Sequence, residues 1–305
     1  MKQTRRIFVP GSEWVYMKIY TGNKTAETIL AKHMPSITRE LKNNELIEKW
    51  FFIRYADPEC HLRIRFQLQD KQQVGTVVSL IYKRLNYLVQ HNLIWKIQLD
   101  TYSRELERYG ENLMEEAEFL FCKDSDCALA IIKKLSILQN ENYRWMIALK
   151  MIDCFLSDFL LDIHLKRQLM DKLSSSFKAE FGFNLRNSKQ FNVKFRENKQ
   201  IIESVLNNSF SDDDFLKLYD PLQKKSKELK PFIKQFNLKL KKQETSVSIE
   251  SLLSSYIHMM INRLIVSKNR LHELILYDFL RRYYASEIAK SKYQLKNLDI
   301  QRIVS

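Results

Sequence analysis

The stretch WFFIRYADPECHLRIRF, Trp50 to Phe66, reads as two strands around a turn at Asp57-Pro58-Glu59. Its second half alternates strictly. Leu62, Ile64, Phe66 and Leu68 point one way and His61, Arg63, Arg65 and Gln67 the other, because strand side chains alternate faces with period two. One face is apolar; the other carries two arginines beside a histidine. That pairing points to a site that holds carboxylate or phosphate, while the alternation alone also fits a solvated polar face.

On either side of this hairpin, the first hundred residues read strand, helix, strand, strand, helix, strand. Val15 to Tyr20 alternates as a first strand, and a helical segment runs from Thr25 to about Leu41 with a break at Pro35. Lys71 to His91 has helical spacing, with Val74, Val77, Val78, Ile81 and Leu85 on one side, and Leu93 to Tyr102 closes the set. The order is that of a ferredoxin-like, or split βαβ, four-stranded sheet. Val15, Met17, Ile19, Leu62, Ile64, Phe66, Trp95, Ile97 and Leu99 are expected to face the helices. The open face then collects Tyr16, Lys18, Tyr20, Arg54 or Phe52, His61, Arg63, Arg65, Gln67, Lys96 and Gln98.

From Asn112 onward the chain reads as helical. The fold class is therefore α+β, with a sheet module over residues 1–110 and a mainly helical region over 111–305 packed on it. Asp124-Ser125 is expected to cap a helix from Cys127 to Leu138 after an earlier one from Asn112 to Phe121. A long helical segment is expected from Asn142 to Phe177, then a loop from Phe181 to Phe195. Eight lysines lie between Lys224 and Lys242, where Pro221 and Pro231 interrupt the pattern. Such a run suits an acidic peptide or RNA, but it is more usually a solvated face. Gln243 to Ser248 reads as a loop, followed by helices from Ile249 to Val266 and from about Asn269 to Lys290.

Composition agrees with long helices and little else. There are only 5 Gly and 5 Pro in 305 residues, with 45% hydrophobic and 12% aromatic residues, as in a globular protein with a substantial core. The formal charge of +14 attracts polyanions or acidic substrates, and RNA is the generic inference from it. No RRM-type aromatic signature, zinc finger, glycine-rich phosphate loop or serine elbow is present. The cysteines Cys60, Cys122, Cys127 and Cys154 lack paired spacing and read as reduced thiols of a cytoplasmic protein. The N-terminus has no apolar signal region, and no stretch has the length of a membrane span.

Two polar clusters remain. Ser254, His258 and Asn262, at i, i+4 and i+8, share one side of the apolar helix that begins at Ile249, where a histidine is either a satisfied core residue or a proton carrier. TYSRELERYG, Thr101 to Gly110, places Glu105 and Arg108 three apart directly beyond the fourth strand, as an ordinary ion pair or part of a site.

WFFIRYADPECHLRIRF, TYSRELERYG, AEFLFCKDS and SYIHMMINRL, in this order, resemble the C-terminal domain of class I lantibiotic dehydratases. The same domain also occurs alone in thiopeptide-type bacteriocin biosynthesis. The resemblance runs from about Trp14 to Tyr284. It implies glutamate elimination: a glutamylation domain loads glutamate from glutamyl-tRNA onto Ser or Thr of a precursor peptide, and this domain expels it to leave dehydroalanine or dehydrobutyrine. The family's functional residues match Arg63, Arg65, Glu105, Arg108 and His258. The resemblance thus makes His258, Arg65, Arg108 and Glu105 catalytic candidates, with Arg63 binding substrate; His61, beside Arg63 on the same strand face, and Asn262, on the same helix stripe as His258, are expected to bind substrate as well. Which of Arg63 and Arg65 dominates stays open, as does whether Glu105 orients an arginine or acts as a second base. The family's RYGG ends here in Glu111, which makes the local backbone the point to check.

No cofactor or metal is implied. The implied partners are a glutamylated precursor peptide and a separate glutamylation protein that uses glutamyl-tRNA, with no direct tRNA requirement and no membrane span. A homodimer is an assembly the resemblance allows. Because the sequence begins at Met1 without the glutamylation domain, the expected role is the detached half of a split dehydratase. The competing readings are a thiopeptide pyridine synthase, which joins two dehydroalanines by formal cycloaddition, and a non-catalytic scaffold that binds the precursor.

Overall fold

A computed structural model of the chain describes residues 4–241 and 247–304, with side chains to residue 240 and over 247–294. The strands are β1 (Ile7–Phe8), β2 (Trp14–Thr21), β3 (Ile47–Ala56), β4 (Cys60–Leu68), β5 (Ile94–Asp100) and β6 (Tyr102–Ser103). The helices are α1 (Asn23–Thr28), α2 (Met34–Asn43), α3 (Val74–Gln90), α4 (Leu106–Tyr109), α5 (Met114–Leu138) and α6 (Asn142–Asp158). They continue as α7 (Ile163–Glu180), α8 (Leu185–Leu206), α9 (Asp213–Leu216), α10 (Tyr219–Lys241), α11 (Ile249–Leu264) and α12 (Asn269–Val304). Two compact units result: Met1–Glu141 with Lys217–Ser267, and Asn142–Leu216 with Lys268–Ser305.

The first unit is α+β. Its four-stranded sheet has the order β3-β4-β2-β5 with every neighbouring pair antiparallel, and β1 pairs with β6 in a separate ribbon. The apolar alternation is obeyed: Val15, Met17, Ile19, Leu62, Ile64 and Phe66 are all buried. Ile29, Leu30, Ile37 and Leu41 are buried along the α1–α2 segment, and Val77, Ile81, Leu85 and Leu88 along α3. Each such side chain contributes about 1.5–3 kcal/mol relative to exposure. The break expected at Pro35 is real: a π-helical turn, Ile29–His33, precedes α2, and the proline occupies its first turn, where a missing N–H costs nothing.

Two expectations about the sheet faces are corrected. Arg54 and Phe52 lie opposite Leu62 and Ile64 on the apolar face, so Phe51, Ile53 and Tyr55 share the basic face instead. Ile97 and Leu99 have the expected register, opposite Ile19 and Met17, yet they are 36% and 41% exposed. β5 is an edge strand, with a neighbouring strand on one side only.

The outer edge of β3 is closed by side chains. The Phe52 N–H donates to Ser125 Oγ (3.2 Å), while the Asn262 amide accepts from the Arg54 N–H and donates to its carbonyl, both at 2.9 Å. Edge strands left bare invite pairing with other chains, and two helices prevent that here.

Several helix boundaries differ from the reading of the sequence. α5 runs unbroken through Asp124 and Ser125, which face the interior instead of capping a new helix. Asp124 accepts from Lys225 Nζ (2.6 Å) and Arg263 Nη1 (3.0 Å), and Ser125 Oγ accepts from Arg263 Nε (3.1 Å). Buried partners on α10 and α11 therefore keep mid-helix a pair that local preference would send to a cap. Pro221 and Pro231 both lie inside α10, which is continuous. In the second unit, the expected 142–177 helix divides into α6 and α7, with Leu160 at φ 63° and Asp162 capping α7. The expected loop from Phe181 to Phe195 is largely α8, opened by a reciprocal Asn184–Asn187 capping box. The final helix extends past Lys290 to Val304. Most of the expected 243–248 loop lies outside the described residues, and Ser248 caps α11.

Removing Asp124 leaves the buried Lys225 and Arg263 cations facing one another without their shared carboxylate. Asp124→Ala is expected to lower unfolding free energy by about 3–5 kcal/mol in urea denaturation, and a loss below about 1 kcal/mol contradicts this role for the cluster.

Candidate functional site

The second face of the sheet is built by cross-strand pairs. β2 and β4 set Tyr16 against Arg65, Lys18 against Arg63 and Tyr20 against His61. β3 adds Phe51, Ile53 and Tyr55 opposite the same three β4 residues. Towards β1 this face is roofed by aromatic rings: Trp14 meets Phe51 at 5.6 Å and Tyr102 at 5.1 Å, and Phe51 meets Phe121 at 5.3 Å.

Arg65 sits inside that aromatic box. Its guanidinium carbon is 4.2 Å from the Tyr16 ring centroid, 4.9 Å from Tyr102 and 5.2 Å from Phe51. The residue is buried, and its Nε has no hydrogen-bond partner among the described residues. Three rings supply cation–π attraction, yet no described carboxylate forms a hydrogen bond or ion pair with it. Burial pushes the guanidinium pKa below its ordinary value, Tyr16, Tyr102 and Glu105 pull it back up, and Arg63 adds to the lowering. A buried cation without a counterion is costly, and such groups concentrate where a ligand supplies the missing charge.

Tyr102 is itself held in place. Its hydroxyl donates to Glu118 Oε1 (2.8 Å), and Arg104 donates to both oxygens of the same carboxylate at 2.7 Å. Glu118 is thus fully engaged and unavailable to Arg65. Burial, reinforced by that carboxylate, raises the Tyr102 pKa well above its ordinary value and keeps the phenol protonated.

Further along β4, Arg63 lies flat on Tyr55, 3.3 Å from the ring centroid, and its Nε donates to His61 Nε2 at 3.0 Å. His61 Nδ1 is 2.8 Å from the Glu59 carbonyl, so the ring carries its proton on Nδ1 and accepts through Nε2. Burial depresses the His61 pKa, and Arg63 and Lys18 depress it further against the opposing Glu59 carbonyl and Asp57.

The helical side supplies the other candidates. Arg108 on α4 donates from Nη1 to Glu105 (3.2 Å) and from Nε to Ser255 Oγ on α11 (3.1 Å). Gly110, at φ 82°, turns the chain away directly after Tyr109, a conformation that favours glycine. Glu111, where the family pattern has a second glycine, is not among the positive-φ residues, so the substitution introduces no backbone strain. Tyr109 stacks on Tyr256 of α11 at 5.6 Å. Burial raises its pKa to about 12, against opposing effects of Arg108, Arg263 and Arg65 and a reinforcing one of Glu105. Arg65, Glu105 and Arg108 therefore act on a common electrostatic environment.

His258 is half-buried on α11, one turn beyond Ser255. Ser255, His258 and Asn262, at i, i+3 and i+7, form one stripe. That stripe contacts Arg108 at one end and the Arg54 main chain at the other. Asn262 bonds the β3 backbone at Arg54, accepting from its N–H and donating to its carbonyl. Ser255, the box residues Phe51 and Tyr102, and Tyr109 were not singled out by the sequence. The available signal for Ser255 was its position next to Ser254 on a mostly apolar helix. Among the described residues, no group of three or more His, Cys, Asp or Glu side chains is arranged to hold a metal, and no helix is long and apolar enough to cross a membrane.

The chain falls in the class of lantibiotic biosynthesis dehydratase domains. Residues 14–284 match the family model for the C-terminal part of lantibiotic biosynthesis dehydratases, and the chain belongs to that family. It is 29% identical over 291 residues to the nisin biosynthesis protein NisB of Lactococcus lactis subsp. lactis, covering 94% of this chain and 27% of that protein. Its fold superposes on the tRNA-dependent lantibiotic dehydratase MibB of Microbispora sp. 107891 with a TM-score of 0.69 and 18% identity, over 93% of this chain and 29% of that one. It also superposes on TbtD, a pyridine synthase from thiomuracin biosynthesis, with a TM-score of 0.64 and 12% identity, over 91% and 99% of the two chains. The chain thus spans about a quarter of the length of the curated relatives it matches.

Arg65→Met removes a buried charge without a counterion and keeps much of the volume. We expect it to unfold at equal or higher urea concentration than the parent, since apolar replacement of a buried charge is often neutral or stabilising; a large drop in midpoint contradicts the claim that Arg65 lacks internal compensation. His61 is expected to titrate by NMR below the ordinary value of about 6.5. The unfolded chain then binds more protons as pH falls through that range, so this group destabilises the fold on acidification, and His61→Gln should flatten the slope.

Proposed function

We propose that the chain eliminates glutamate from glutamylated Ser or Thr of a ribosomally made precursor peptide, giving dehydroalanine or dehydrobutyrine. The observation that carries this reading is Arg65, a buried guanidinium in an aromatic box that no described carboxylate neutralises. A glutamyl ester provides the anion such a site lacks, because a carboxylate develops as the ester oxygen departs.

In the proposed step a base removes the Cα proton of the esterified residue. The electron pair forms the Cα=Cβ bond, the Cβ–O bond breaks, and glutamate leaves as its carboxylate. His258 is assigned the proton transfer, and its stripe with Ser255 and Arg108 supports that assignment. Arg65 and Arg108 neutralise developing and departing charge, with Glu105 and Ser255 orienting Arg108. Arg63, set by His61 and Tyr55, binds the glutamyl group. Asn262 contributes by holding α11 against β3.

The same proposal makes a separate glutamylation protein, charged by glutamyl-tRNA, the source of the substrate, and makes the sheet module and helical region act as one elimination domain. The strand order β3-β4-β2-β5, with the α1–α2 segment and α3 as its connections, supports reading the module as a split βαβ unit.

The test is incubation with a Ser-glutamylated peptide and mass spectrometry for loss of glutamate. We expect elimination by the parent chain and a rate lower by about 10²–10⁴ for His258→Ala, the range typical of a lost general base. Unchanged elimination by that variant overturns the histidine assignment. Inertness towards the glutamylated peptide, combined with cyclisation of a peptide bearing two dehydroalanines, supports the cycloaddition reading instead.

A further inference from the structure

A cavity of about 520 Å³ lies between α2, α5 and α10, within the first unit. It is separate from the aromatic box. Asp126 in its wall accepts from Trp50 Nε1 (2.8 Å), and Trp50 sits opposite Phe66 on the apolar face of the sheet, whereas Arg65 and its rings occupy the other face. Leu129 and Pro221 contribute buried apolar lining, while six of the lining side chains are cationic and two are anionic.

Internal pairing leaves much of that positive charge unanswered. Lys42 donates to both oxygens of Asp126 (3.0 and 2.9 Å), Lys123 pairs with Glu228 at 2.7 Å, and Lys225 is turned inward to Asp124 at 2.6 Å. Lys224 reaches Glu228 only at 4.0 Å and shares it with Lys123. The side chains of Arg39 and Lys133 form no ion pair or hydrogen bond with any described residue. The excess charge is thus carried by Arg39 on α2, Lys133 on α5 and Lys224 on α10, one from each wall. A cleft lined by one sign of charge focuses the field and concentrates counter-ions.

Size and lining together select the ligand. Small-molecule sites run from about 300 to 1,000 Å³, and this cavity falls inside that range. Every lining residue is helical, so the cavity offers no strand edge to an extended peptide. Guanidinium and ammonium groups converging from three helices suit several charged oxygens on neighbouring atoms better than one carboxylate. We propose that this cavity binds a small molecule bearing two or more linked phosphate groups, either pyrophosphate itself or a nucleoside di- or triphosphate. Arg39, Lys133 and Lys224 hold the phosphates, and Leu129 and Pro221 face the organic part where there is one. The assignment does not depend on the elimination chemistry.

Calorimetric titration of the full chain with pyrophosphate, ATP, AMP and inorganic phosphate tests it. One site is expected, with pyrophosphate and ATP bound at least about tenfold more tightly than AMP and inorganic phosphate, and all of them weakened by salt. ATP binding above pyrophosphate identifies a nucleotide site, and equal binding identifies recognition of the linked phosphates alone; either supports the proposal. Arg39 and Lys133 are exposed, so Arg39→Glu combined with Lys133→Glu should keep the far-UV circular dichroism spectrum while lowering affinity at least about tenfold. Lys71→Glu combined with Lys83→Glu makes the same change in net charge outside the cavity and should alter affinity by less than about twofold. A parent chain that binds no pyrophosphate up to about 1 mM, even if it binds an RNA oligonucleotide or polyglutamate, overturns the proposal. So does an unchanged affinity in the cavity variant, or an equal loss in the two double variants.

Discussion

A guanidinium buried among aromatic rings, with no described carboxylate to neutralise it, is the constraint around which the first unit is built. Arg65 is held on a central strand and is buried. Tyr16 and Phe51 come from the flanking strands and Tyr102 from the chain beyond the sheet. The one fully buried carboxylate close to this box, Glu118, is already taken by Arg104 and Tyr102. The fold thus spends no internal anion on Arg65 and leaves the position open to one that arrives from outside. Natural proteins tolerate such local cost mainly at functional sites.

The surrounding scaffold makes that cost bearable. α5 carries Glu118 towards the aromatic box, Ser125 towards the β3 edge and Asp124 towards Lys225 and Arg263. One helix therefore fixes the roof, the sheet edge and α11 at once. α11 in turn brings Ser255 to Arg108 and Asn262 to Arg54, with His258 between them on the same stripe. A rigid sheet and two helices tied to it by hydrogen bonds are what precise placement of charged groups requires.

Much of this was legible in the sequence because period-two alternation survives in β2 and β4, and one buried face forces the register. The pairing of Arg63 with His61, two apart on one strand, follows from the same alternation. Other features were hidden for physical reasons. Asp124 and Ser125 look like a cap because local preference favours that, and only partners about 100 and 139 residues away along the chain hold them mid-helix. Phe51 rather than Phe52 faces Arg65 because the ladder runs without a break from the hairpin end, where Ala56 lies opposite Cys60, and the all-apolar run Trp50 to Ile53 has no alternation that would show its register. The missing counterion of Arg65 is a property of the whole environment, so no spacing rule could expose it. Even the helix at Leu185–Leu206 was masked by polar residues and scattered aromatics, since few of its residues are buried.

The most direct measurement is a structure of the chain with a peptide carrying a glutamylated serine, in the His258→Ala background so that the ester survives. The account predicts a carboxyl group of the glutamyl moiety within about 3 Å of the Arg65 guanidinium, inside the box formed by Tyr16, Phe51 and Tyr102. A glutamyl group bound elsewhere, with Arg65 still facing only aromatic rings, would contradict it.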